Sequence, residues 1–288
     1  MKIPFINYAG LEKPTKQIQE WIHYHALGIV AAPQGAGLTR FLEHCVLSSE
    51  HKVASIQLFE PNKAQIRSLQ LASSATAVAF SLLWSQLNRL NRPHSDLHKL
   101  PNYSTSIAPL TDRDFLKAYD SILSILENAR STVDAIIVDN AHLGDAKLFT
   151  ILMQLIDECR IPPALILGVR LEEHATPDEA LQRYRRVVPA LEQRRKPILA
   201  LEKISYEIFD REILPLLLLN SHIDLDSRVE EEQDRVANEL WTHIRGNWHR
   251  IHQLYTALQI HVTPRLDQTW LLSWEGYQQV LQELKGNI

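Results

Sequence analysis

The sequence predicts an α/β protein, a mostly parallel sheet core with helices on both faces, followed by a small all-helical lid domain. Three observations carry that reading. Short, densely apolar runs recur between residues 28 and 168, separated by stretches in which apolar residues repeat at helical spacing. The runs are continuous, not alternating, as expected of strands covered on both faces in a parallel sheet. From Ser205 onward the pattern is helical only. That change sets a boundary between a core, residues 1–201, and a helical lid with C-terminal segment, residues 202–288.

The elements follow in order. Residues 15–24 read as an amphipathic helix through Ile18, Trp21 and Ile22, and residues 28–32 as a buried strand. Residues 33–37, Pro-Gln-Gly-Ala-Gly, form a turn before a helix over residues 38–47. A strand over residues 53–59 and a long helix or helix pair over residues 64–90 come next, then a proline-rich loop to Pro109. A helix over residues 115–129 precedes the strand Ala135-Ile136-Ile137-Val138, and a helix over residues 146–159 precedes the strand ending at Gly168. The lid helices are expected at residues 206–219, 228–244 and 248–259, with no strand among them. No internal repeat is present.

Composition bounds the function. A chain of 288 residues with 45% hydrophobic and 22% charged residues has the balance of a core-forming globular protein. A net charge of -4 is unlike the positive field of a protein that wraps nucleic acid over its whole surface, so any DNA contact must be local. The two cysteines, Cys45 and Cys159, lack zinc spacing and read as core thiols in a reducing cytosol. No apolar run approaches the roughly 20 residues of a membrane span, so the expectation is a cytoplasmic protein with no membrane partner. The 13 histidines show no paired metal spacing, and no structural metal is expected.

Two segments carry chemistry. A phosphate-binding loop needs glycines that let backbone N–H groups converge, a Lys for the β and γ oxygens, and a Ser or Thr hydroxyl for Mg²⁺. Residues 32–39 read Ala-Pro-Gln-Gly-Ala-Gly-Leu-Thr: Gly37 and Thr39 match, Gly35 is an additional glycine, Ala32 replaces the first Gly, and Leu38 stands in place of the Lys. About 100 residues later, Asp139 ends an apolar strand, where a carboxylate would hold Mg²⁺, and Asn140 follows it. Asn140 hydrogen-bonds a water but cannot take its proton. The bland alternatives are a strand-to-helix turn with steric glycines and a polar turn after a strand.

These segments, with the strand Leu165-Ile166-Leu167-Gly168 and the later Gly246-Asn247-Trp248-His249-Arg250, resemble AAA+ transposition regulators of the TnsC/TniB type over about residues 15–260. The resemblance implies a P-loop NTPase core whose Glu after the strand Asp is here Asn140. It implies ATP or ADP with Mg²⁺ as cofactor, Gln34, Gly35, Ala36, Gly37, Leu38, Thr39 and Arg40 around the phosphates, and Thr39 with Asp139 on the metal if nucleotide binds. Arg250 matches the lid arginine near the γ-phosphate. The polar sensor of the strand after the acidic one has no clear counterpart, because Gly168 is followed by Val169 and Arg170. Arg194 or Arg195 is the nearest match to an arginine finger acting on a neighbouring subunit.

Residues 182–196 also hold Arg183, Arg185, Arg186 and Lys196 against Glu192 alone. Such a stripe reads as a DNA-phosphate surface, a trans-acting finger or a solvated helix face. The expected partners are further copies of this chain, transposase or target-selection proteins, and duplex DNA. With Leu38 and Asn140 in place, hydrolysis is expected to be lost or very weak. The readings that stay open are a pseudo-ATPase scaffold that binds no nucleotide and an NTPase that takes its cation from Lys147 or Arg40. Both Leu38 and Asn140 are expected at solvent-facing ends of core elements, where Lys and Glu would be tolerated.

Overall fold

The computed structural model describes residues 6–58, 79, 82, 83, 86, 87, 90, 112–127, 133–144, 146–172, 198–265 and 269–286. The basic segment 182–196 with Arg194 and Arg195, the loop 91–109 and most of the stretch 64–90 lie outside the described residues. The chain divides into two compact units. One holds Pro14–Ala32 and Leu38–Ala200; the other holds Met1–Lys13, Pro33–Gly37 and Leu201–Ile288.

In the first unit, β1 (Leu27–Pro33), β2 (Val53–Gln57), β3 (Ala135–Asp139), β4 (Ala164–Leu171) and β5 (Leu199–Ala200) make a parallel five-stranded sheet in the order β2-β3-β4-β1-β5. Strand β2 runs beside β3 from Val53↔Ala135 to Gln57↔Asp139, β3 beside β4 from Ala135↔Ala164 to Val138↔Leu167, and β1 beside β5 at Val30↔Leu199. All five residues of β3 are buried, so both faces of this inner strand are covered. The helices are α1 (Ala9–His23), whose residues from Pro14 belong here, α2 (Leu38–Leu47), α3 (Asp112–Glu127) and α4 (Ala146–Glu158).

Spacing explains which faces they bury. Helix α2 buries Leu38, Phe41, Leu42 and Cys45, and α4 buries Leu148, Leu152, Leu155 and Ile156, each set at three- and four-residue intervals. Ala79, Leu83 and Leu87 are helical, four residues apart, and join the same core cluster as Ile56, Ile136 and Leu152. Strand β4 runs three residues past the expected end because Val169 and Leu171 are buried while Arg170 points out. A single charged residue there disguises a strand that continues.

The second unit is not all-helical as its sequence pattern suggests. It contains α5 (Tyr206–Ile208), a π turn (Phe209–Ile213), α6 (Leu214–Asn220), α7 (Ser227–Glu231), α8 (Gln233–Ile244), α9 (Trp248–Ile260) and α10 (Trp274–Gly286). It also contains a three-stranded sheet in the order β6-β8-β7, from β6 (Ile223–Leu225), β7 (Thr263–Pro264) and β8 (Trp270–Leu272). Strands of two or three residues are too short to show alternation, and Ile223↔Trp270 pairs residues far apart in sequence. Asp226 ties the pieces together: Oδ1 accepts the Val229 N–H at 2.8 Å and Oδ2 the Trp274 N–H at 2.7 Å. Among the described residues no helix is long and apolar enough to cross a membrane.

Candidate functional site

The acidic strand end lies in the first unit. Asp139 closes β3 at 4% exposure, and its Oδ1 accepts the Asn140 N–H at 2.8 Å. Its Oδ2 is buried with no hydrogen-bond partner among the described residues. A buried carboxylate oxygen left unpaired is costly. On the next strand, a Cβ at Gly168 would stand 3.3 Å from Asp139 Oδ1 and 2.6 Å from Leu42 Cδ1, so the glycine makes room for this carboxylate.

Asn140 is 9% exposed and left-handed, with φ 54° and ψ 36°. Its Nδ2 donates to the Leu58 carbonyl at 3.0 Å, and the Leu58 N–H donates to the Asp139 carbonyl at 3.0 Å. Asn is one of the few side chains that adopts this backbone readily. Asn140 therefore bolts the end of β3 to the end of β2. Beside it, His142 Nδ1 accepts the Arg170 N–H at 3.3 Å, which is where the structure puts the residue following the buried Val169.

Helix α2 faces the strand ends. Thr39 and Glu43, one turn apart, share a cleft of about 290 Å³ with Ser55, Gln57, Gln86 and Asp139. Of the residues expected from the sequence, Thr39 and Asp139 are thus brought together from positions 100 apart. Arg40 is exposed and its Nη1 is paired with Glu43 Oε2 at 3.0 Å; Lys147 is exposed on α4. Neither lines the cleft, and among the described residues no Lys or Arg does. Leu38 is buried at 9% exposure. Both Leu38 and Asn140 therefore sit inside the protein, not at solvent-facing ends, which overturns the expectation that Lys and Glu would fit there at little cost.

The glycine loop lies in the second unit. Gly35 and Gly37 have φ of 85° and 84°, a region open to glycine at low cost, and the Ala36 N–H closes a turn on the Pro33 carbonyl at 3.1 Å. The Gly35 carbonyl accepts the Trp248 N–H at 2.8 Å. A Cβ on Gly35 would lie 2.8 Å from Asn247 Cγ, and one on Gly37 would lie 2.5 Å from Trp248 Cδ1. Gln34 is exposed and Ala36 buried. Asn247 caps α9, its Oδ1 accepting the His249 N–H at 2.9 Å.

Arg250 stands on the first turn of α9, half-buried. Burial first, then the charges of Lys285, Arg250 and Arg245, hold His243 below the usual histidine range. The Tyr8 ring lies 6.2 Å from that of Trp248, and burial, with Glu212 second, pushes its hydroxyl up to about 12. Nothing in the sequence singles out Glu43, Ser55, Gln57 or Gln86.

Among the described residues no group of three or more His, Cys, Asp and Glu is arranged to hold a metal. The donors that Mg²⁺ prefers, one or two carboxylates with neutral oxygens and waters, are those of the Thr39 and Asp139 cleft. No family model matches the chain, and no curated protein matches it. The parallel sheet and its helices are compatible with a P-loop or Rossmann-like α/β fold.

Proposed function

We propose that the chain is an AAA+ protein of the transposition-regulator kind, acting through self-assembly and recruitment of DNA or transposase partners, with nucleotide hydrolysis lost or very weak. The observation that carries this reading is the cleft lined by both Thr39 and buried Asp139, whose Oδ2 has no partner among the described residues. Topology supports it. From β1 the chain passes to the far edge at β2, then returns through β3 and β4 to lie against β1. The connection leaving β1 runs one way along the sheet and that leaving its neighbour β4 runs the other, and open parallel sheets bind ligands at the carboxyl ends of strands where connections diverge in this way.

In this role Thr39 and Asp139 would hold Mg²⁺, which supplies charge to the phosphates of ATP or ADP. Leu38 offers no charge to a transferred phosphoryl group, and Asn140 cannot act as a base. Losing one such electrostatic contact typically costs about 10²-fold in rate. Purified protein is accordingly expected to hydrolyse ATP no faster than buffer, while calorimetric titration detects binding of ATP or ADP with Mg²⁺, tightened or unchanged by duplex DNA. Turnover near 1 s⁻¹, an ordinary enzyme rate, refutes the loss of hydrolysis; absence of nucleotide binding refutes the site.

A second reading, a protein-interaction scaffold that binds no nucleotide, is favoured by one observation. The Gly35 carbonyl and the open side of Gly37 are occupied by Asn247 and Trp248. The same titration separates the two.

A further inference from the structure

The geometry points to a divalent-cation site in the α2–β2–β3 cleft that is held by protein ligands alone, with Glu43 as its second carboxylate and Gln57 as a neutral oxygen donor. This deepens the reading above at the same cleft and differs from it in one respect: the cation needs no nucleotide to bind.

Four observations support it. Asp139 lines the cleft, and its Oδ2 is buried with no donor among the described residues to compensate its desolvation. Glu43 lines the same cleft one helical turn from Thr39, adding a second negative charge. Gln57 is the strand partner of Asp139 in register, so its side chain leaves the sheet beside the carboxylate, and Ser55, two residues earlier, lies on the same face. Among the described residues no Lys or Arg lines the cleft, and the cation that pairs with Glu43, Arg40, stands outside it.

The chemistry selects the ion. Two carboxylates with hydroxyl and amide oxygens, in a cleft roomy enough to retain water, suit Mg²⁺ or Mn²⁺; the absence of His and Cys from the lining disfavours zinc. The Arg40–Glu43 pair does not oppose this, since both side chains are about half exposed (45% and 48%) and such pairs are weak. A cation already seated would also supply the positive charge that Leu38 withholds.

The test uses the full chain and Mn²⁺ alone, followed by electron paramagnetic resonance, with the titration repeated in the presence of ATP. Expected is one Mn²⁺ site without nucleotide, weakened about tenfold or more in Glu43→Gln, as affinity follows the ligand charge count, and abolished in Asp139→Asn. Glu43 is exposed, so its variant keeps the fold and stands as the control should Asp139→Asn unfold. Mn²⁺ that binds only when ATP is present, or equally to wild type and Glu43→Gln, overturns the proposal and leaves the nucleotide reading intact. Mn²⁺ binding with no ATP binding sustains the proposal and removes the nucleotide reading.

Discussion

The glycine loop and the acidic strand end are each followed by an uncharged residue, Leu38 and Asn140, where nucleotide chemistry would want a charge, and the two residues serve the fold in opposite ways. The loop keeps its backbone shape and lacks its cation. Gly35 and Gly37 retain positive φ, but their open sides are filled by Asn247 and Trp248, and Leu38 is turned into the core. The strand end carries a carboxylate with one oxygen unpaired among the described residues, and the residue after it, Asn140, is a bolt between two strands. A degenerate position is thus not an idle one. Leu38 contributes apolar burial, and Asn140 contributes a backbone conformation and a hydrogen bond.

The largest effect should come from Gly37→Ala. The left-handed backbone costs roughly 1–2 kcal/mol for an L side chain, and overlap with the Trp248 ring adds roughly 1–3 kcal/mol, so urea denaturation should register a loss of about 4 kcal/mol. Adding Trp248→Ala should remove the overlap and leave the backbone cost, so the two substitutions are expected to be non-additive. Additivity would mean that the loop and the α9 start do not determine each other's shape.

Leu38→Lys comes next, with an expected loss of about 3 kcal/mol from an ammonium placed in an apolar site without a partner. If the loop retains phosphate-binding geometry, ATP with Mg²⁺ should restore much of that stability by mass action. Thermal denaturation with and without ATP decides it; a variant destabilised equally under both conditions shows that the loop has become purely structural.

Asn140 allows a finer division. Asn140→Ala loses both the bond to Leu58 and the tolerance for φ 54°, an expected cost of about 2 kcal/mol. Asn140→Gly loses the bond alone, about 1 kcal/mol. Equal costs would mean that the backbone conformation contributes nothing. Asn140→Glu should resemble the Ala variant in stability, since a longer carboxylate neither reaches Leu58 as a donor nor favours the left-handed region.

Smallest is Arg40→Ala. Its pair with Glu43 is half exposed, so the expected change is within about 0.5 kcal/mol. A larger loss in chemical denaturation would make Arg40 part of the architecture of the cleft, against the view that Glu43 is available to a cation.

How much was legible follows from the length of the signals. Helix α2 was read with its ends at residues 38 and 47, and β1 to β4 were found to within a few residues, because each is a run long enough to bury itself, whereas β5, two residues long, was not read. The second unit's strands were missed: two or three residues supply no period, and they exist only because β6 finds β8. At the site, Thr39 and Asp139 were legible through a spacing pattern. Glu43 and Gln57 were not, since a helix residue and a strand residue carry no mark of the cleft they share.

What the sequence determined by itself is the alternation of strands and helices, the order of glycine loop and acidic strand end, and the missing charge at Leu38 and Asn140. These are local properties of side-chain polarity and backbone freedom. Only the tertiary structure decided that Leu38 is buried, that Asn140 spans two strands, that Trp248 fills the open side of Gly37, and that one oxygen of Asp139 has no partner. Each of those depends on which distant residue arrives beside it. Whether a polar atom is satisfied is a property of the pair, and the partner is chosen by strand register and helix packing, not by the residues on either side in the chain.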